Sequence, residues 1–131
     1  DVSQVSRATL YNHYRDKDSV LLALCESELA RLVEIAQNAP DATSALEQIS
    51  LQVSSDPALA AMRVQDPDQL ALALTKHDDH LWKAFAIALT HLLGEGKSAL
   101  ALRWLLGQAL HPINAQQSRA QAEAITGIAN L

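Results

Sequence analysis

The stretch DPDQLALALTKHDDHLWKAFAIALTHLLG, Asp66 to Gly94, decides the fold class. Asp66 followed by Pro67 is a helix start, because a capping acid precedes a proline whose lost N–H is not needed in the first turn. From there Leu70, Leu74, His77, Leu81, Phe85, Ala88 and Leu92 recur at steps of three and four, the signature of one helix face. The reading is a helix over 67–93, stopped by Gly94. The same grammar extends in both directions. Asn38-Ala39-Pro40-Asp41, Ser54-Ser55-Asp56-Pro57, Gly94-Glu95-Gly96 and His111-Pro112 separate further helices expected at 6–14, 17–37, 42–54, 57–63, 98–110 and 115–129. Leu21, Cys25, Leu29, Leu32 and Ala36 make the stripe of the second, and Leu46, Ile49 and Val53 that of the third.

Composition agrees. The chain has 131 residues, room for a single core. It carries 23 alanines and 22 leucines against four glycines and four prolines, an all-α balance with too few β-branched and turn residues for a sheet protein. One cysteine, Cys25, rules out a disulfide framework and a Cys-based zinc site, and it suits a reducing cytoplasm. The net charge of −5 argues against a generally basic nucleic-acid coat, though not against a local basic face. The longest uncharged apolar stretch, Ala84 to Gly94, is far short of a membrane span, so no membrane partner is expected. The chain opens on Asp1 rather than Met, which reads as a frame without its upstream part.

One segment differs from this Ala/Leu body. Val5-Ser-Arg-Ala-Thr-Leu-Tyr-Asn-His-Tyr-Arg-Asp-Lys17 starts on a good N-cap, Ser6, and commits only Leu10 and Tyr14 to an interior. Arg7, Thr9, Tyr11, Asn12 and His13 occupy the other face, all residue types that reach phosphates or base edges. Arg15 and Lys17 follow, giving a small basic footprint in an acidic chain. On composition alone, a solvated surface helix explains the segment equally well.

The pattern V-S-R-A-T-L-Y-N-H-Y-x-D-K, followed by the apolar run Val20 to Leu24, resembles the recognition helix and following helix of the tetracycline-repressor (TetR) family. The resemblance covers Val5 to Leu24. It implies that Thr9, Tyr11 and Lys17 meet DNA phosphates, that Ser6, Arg7, Ala8, Asn12 and His13 lie on or near major-groove edges, and that Leu10 and Tyr14 are core. The sequence departs from the family upstream. The first helix and most of the second have no counterpart, and Gln4 stands where glycine is usual. Asp1-Val2-Ser3 is similar to a piece of the second helix that normally lies further upstream, so a break wider than one peptide bond is expected between Ser3 and Gln4. In this division residues 1–18 are a remnant of a helix-turn-helix DNA-binding domain, and 19–131 form a helical ligand-binding and dimerisation domain.

The remaining candidates lie in that second part. His77 and His80, spaced i and i+3 around Asp78 and Asp79, have metal-like spacing, but His77 sits on the apolar stripe and no further ligand can be placed nearby. No metal is expected, and no cofactor. Met62, His77, Leu81, Trp82 and Phe85 are read as lining an effector cavity, since scarce large side chains in an Ala/Leu core suit an apolar pocket; ordinary core packing is the simpler reading for any one of them. Cys25, on its stripe, reads as a buried inert thiol. Leu100 to Leu110 is apolar all round, so it needs cover on two sides. Leu102, Trp104, Leu105 and Leu106, with the small residues Ala120, Ala124 and Gly127 on the last helix, are therefore read as a homodimer interface.

No catalytic constellation is present. Gly94-Glu95-Gly96-Lys97-Ser98 lacks the first glycine and the preceding strand of a phosphate loop, so an enzyme is not expected. The expected function is transcriptional regulation: a homodimer binding double-stranded operator DNA as a repressor, controlled by a small-molecule effector. The competing reading is a helical small-molecule-binding or protein-interaction module with no DNA role in this form.

Overall fold

A computed structural model describes residues 17–75 and 80–129, and every regular element among them is an α-helix. In order these are α1 (Lys17–Asn38), α2 (Ala42–Ser55), α3 (Pro57–Gln65), α4 (Pro67–Leu74), α5 (His80–Leu93), α6 (Glu95–Leu110) and α7 (Ala115–Thr126). The segment expected to form the helix over 6–14 lies outside the described residues.

Capping chemistry sets most of the boundaries. Asp41, extended at φ −154°, accepts from Ser44 N at 2.8 Å and starts α2. Asp56 does the same for α3, accepting from Leu59 N at 3.0 Å with Pro57 in the first turn. Asn114 and Gln117 form a reciprocal capping box at the start of α7. Gly94, at φ +85°, serves α5 and α6 together. Its N–H closes on Thr90 O at 2.8 Å, and its carbonyl accepts from Ser98 N at 2.9 Å. Only glycine adopts that φ without strain.

Three expectations are corrected. The single helix over 67–93 is two helices. α4 ends at Thr75, whose N–H turns back to Leu72 O at 3.2 Å while its Oγ1 donates to the same carbonyl at 2.7 Å. That tight i−3 closure competes with the next helical turn. The helix expected from 98 begins at Glu95, because one glycine completes the whole turn. The helix expected to reach 129 stops at Thr126, where Gly127 N closes on Glu123 O at 3.0 Å.

Helix α2 is the central post. Ala45, Leu46, Ile49 and Ser50 are fully buried on it, and it packs against α1, α6 and α7. Helix α5 lies against α1 on one flank and α6 on the other, contributing Phe85 and Leu89 to the interior. The short helices α3 and α4 close one end, anchored by Met62 and Leu70. All seven helices enclose one continuous apolar core. At the surface, Arg119 pairs with Glu47 at 2.8 Å and Glu123 at 3.2 Å, exposed contacts that stabilise little.

A candidate ligand cavity and a candidate interface

Three residues of the expected α1 stripe, Leu29, Leu32 and Ala36, are buried, and Leu24 and Glu28 join them; the side chains of Leu21 and Cys25 lie outside the described residues. The inward register therefore includes an acid. This face opens onto a cavity of about 60 Å³. Helix α1 gives it Leu24, Glu28, Leu29 and Leu32; α2 ends on it at Val53; Leu59 and Met62 come from α3. Trp82 and Phe85 on α5, and Leu102, Leu105 and Leu106 on α6, close the opposite wall.

Of the expected cavity residues, the structure brings Met62, Trp82 and Phe85 together. Met62 and Phe85 are buried and Trp82 is partly buried. His77 and the side chain of Leu81 lie outside the described residues, as does the side chain of Cys25. Sequence reasoning missed Glu28 and Asp56, the two acids in the wall. They are 7% and 1% exposed. Asp56 had a visible signal in its place before Pro57, but capping explained it without burial. Glu28 had one too: it stands four residues from both Leu24 and Leu32.

Arg63 marks the edge of this region. Its Nη1 donates to Ala109 O at 3.0 Å, in the last turn of α6, where carbonyls are free and a cation is favoured. Burial holds its guanidinium below the ordinary arginine value.

Behind the cavity lies a buried polar layer joining α2, α6 and α7. Ser50 Oγ donates to Gln108 Oε1 at 2.6 Å, and Ser54 Oγ donates to the same oxygen at 2.8 Å. Ser50 has one proton, already used, so Ser118 must donate in the 2.6 Å contact between their hydroxyls. Ser54 in turn accepts from Ile113 N at 3.1 Å. Gln108 Nε2 is buried and has no hydrogen-bond partner among the described residues.

The expected interface residues divide between inside and outside. Leu105 is only 4% exposed and belongs to the protomer's own core, while Leu102 and Leu106 face the cavity. Trp104 is half-buried, and its Nε1 donates to Gln121 Oε1 on α7 at 2.6 Å. The outward face of α6 is instead Leu100, Arg103, Gly107 and Leu110, spaced three, four and three apart. Leu100 and Leu110 are 39% and 38% exposed. A Cβ added at Gly107 would meet nothing within 4 Å, so this helix presents a shallow row, apolar except for Arg103, to its surroundings. Ala120 and Ala124 on α7 and Gly127 at its C-cap are exposed, and the Trp104–Gln121 bond ties α6 to α7.

The DNA-contact residues Ser6, Arg7, Ala8, Thr9, Tyr11, Asn12 and His13, the side chain of Lys17, and the break expected between Ser3 and Gln4 all lie outside the described residues. Among those described, no group of three His, Cys, Asp or Glu side chains could hold a metal ion, and no helix is long and apolar enough to cross a membrane. No family model, curated protein or solved structure matches the chain.

Proposed function

We propose that this chain is the ligand-responsive body of a homodimeric DNA-binding regulator, with a recognition helix around Ser6 to Tyr14. The observation that carries the reading is the motif Val5 to Lys17, similar to the tetracycline-repressor recognition helix and placed directly before α1. Helix α1 begins at Lys17, a phosphate-contacting position under that resemblance, and its next turns reach the cavity at Leu24 and Glu28. Eleven residues at about 1.5 Å each put Glu28 roughly 16 Å along the helix from Lys17. A ligand that tilts α1 at the cavity therefore moves the end nearest DNA.

The mechanism is a population shift. Two recognition helices must enter successive major grooves about 34–36 Å apart. A ligand that binds more tightly to a wrongly spaced state draws the dimer into it and releases DNA. The outward rows on α6 and α7 are the surface on which two protomers would meet about a two-fold axis.

The test is a gel shift with the full protein and genomic fragments. Thr9→Ala and Tyr11→Phe should weaken binding to all sequences and flatten its salt dependence, as lost phosphate contacts do. Arg7→Ala and Asn12→Ala should relax specificity at single base pairs, each by about 1–3 kcal/mol. Unchanged operator affinity in all four variants would refute the recognition-helix assignment and leave a helical ligand-binding module, the reading that the net charge of −5 favours.

A further inference from the structure

The cavity draws its wall from all of α1 to α6, and most of that wall is leucine, valine, alanine, Met62 and two aromatic rings. Among the described residues Glu28 and Asp56 are the only ionisable side chains in it, and no lysine, arginine or histidine lines it. Both acids already serve the protein. Asp56 Oδ2 accepts from Leu59 N at 3.0 Å and caps α3, and Glu28 Oε1 accepts from Gln52 Nε2 on α2 at 3.5 Å. Each acid also has a further interaction within the protein. The surface that the wall turns to the cavity is almost wholly carbon. Glu28 and Asp56 therefore border the space while offering it almost no oxygen. A charge or a hydroxyl placed there meets no matching group, and burying one without a partner is unfavourable.

We infer that the cavity takes a short, uncharged alkyl group, packed against Met62, Phe85 and Leu105 and entering between α4, α5 and α6. This rests on the reading of the cavity as a ligand site and names the ligand class. The entry side follows from burial. Met62, Phe85 and Leu105 are buried, whereas Leu74, Trp82, Leu102 and Leu106, on α4, α5 and α6, are only partly so. Size restricts the ligand further. Drug-sized molecules occupy pockets of roughly 300–1,000 Å³, far above the 60 Å³ found here. A dry apolar cavity of roughly 150 Å³ admits benzene, and each water-sized group needs roughly 10–15 Å³. Between those two scales, a cavity of about 60 Å³ holds about three or four non-hydrogen atoms.

Met62 supplies the probe. It is the one methionine of the chain, 1% exposed and in the cavity wall, so its ε-methyl gives a single unambiguous NMR signal. The full protein, labelled at that methyl, is titrated with 2-chloropropane, propan-2-ol, isopropylammonium and acetate. These share one size and a branched shape, and they differ in polarity and charge. 2-Chloropropane should move the signal at the lowest concentration. Propan-2-ol should bind about tenfold more weakly, because its hydroxyl enters without a partner. Isopropylammonium and acetate should leave the signal in place at the concentration where 2-chloropropane half-saturates it. Ala109→Leu and Ala58→Leu fill the space from α6 and from α3, and either variant that folds should lose the 2-chloropropane shift. A shift that survives in a folded variant of this kind places the binding elsewhere and overturns the proposal. Equal or tighter binding of propan-2-ol, isopropylammonium or acetate to the native protein overturns the ligand class but leaves the cavity a ligand site. A Met62 signal unmoved by every probe overturns both.

Discussion

Replacing Gln108 by leucine removes the acceptor at the centre of the buried polar layer. Ser50 can then turn its proton only to Ser118 Oγ, which must stop donating to it, so one of two fully buried hydroxyls is left unsatisfied at a cost of about 1–3 kcal/mol. Ser54 is only partly buried and can turn to water, adding little. Against this, the substitution also deletes Nε2, a buried donor without a partner. The net loss for Gln108→Leu should be about 1–2 kcal/mol. Ser50→Ala alone leaves Gln108 Oε1 satisfied by Ser54 but strips Ser118 of its acceptor, a loss of about 1–2 kcal/mol. In the double variant only the Ser118 hydroxyl is left without an acceptor, the same single orphan that each change leaves by itself. The pair should therefore be less destabilising than the sum of the singles by about 1 kcal/mol. Urea unfolding at one fixed protomer concentration gives all four stabilities, with the m-value as a check on two-state behaviour. Additivity to within about 0.3 kcal/mol would show that these side chains do not act as one network.

Leu70 is fully buried on the eight-residue α4, so Leu70→Ala should cost about 2–5 kcal/mol by thermal or urea unfolding; a loss below 1 kcal/mol would mean that α4 is not anchored there. Leu100→Glu, on the outward row of α6, should leave protomer stability within about 0.5 kcal/mol while converting dimers to monomers in sedimentation velocity. Leu105→Glu should instead unfold the protomer; a monomer as the native species at micromolar concentration would remove the proposed interface. Asp41 is held below the ordinary value of 3.8, first by the backbone N–H of Ser44 and then by the Ser44 side chain. A depressed carboxyl contributes stability that is complete above its unfolded pKa and disappears as pH falls through the folded one. Its contribution should therefore be flat above pH 5 and fade only below 3.8, and an NMR titration midpoint at or above 3.8 would contradict the cap.

Helix positions were legible because their ends are written in local chemistry. Asp41, Asp56-Pro57, Pro67 and Gly94 each act within three or four residues of themselves, so no tertiary knowledge is needed to place them; Asp66, expected to cap α4, stands at its N-cap without a side-chain cap bond. The break at Thr75 was hidden because Leu70, Leu74 and Phe85 stay in helical phase across it, and periodicity reports phase rather than continuity. The direction of a face was equally hidden. Leu100, Leu102, Leu105 and Leu106 look alike in sequence. Which of them line the cavity and which look outward depends on how α6 lies between α5 and α2. Glu28 was legible only by register. A charged residue in mid-helix is ordinarily assigned to solvent, and only the burial of Leu24 and Leu32 on either side of it shows otherwise.

Sequence-specific DNA binding is the central proposal, and selection of bound fragments from sheared genomic DNA by the full protein tests it most directly. The prediction is enrichment of a short two-fold-symmetric site, with half-sites about one helical turn apart. That enrichment should persist at salt concentrations where binding to random fragments has gone. Recovery of random sequence at every salt concentration would contradict the account.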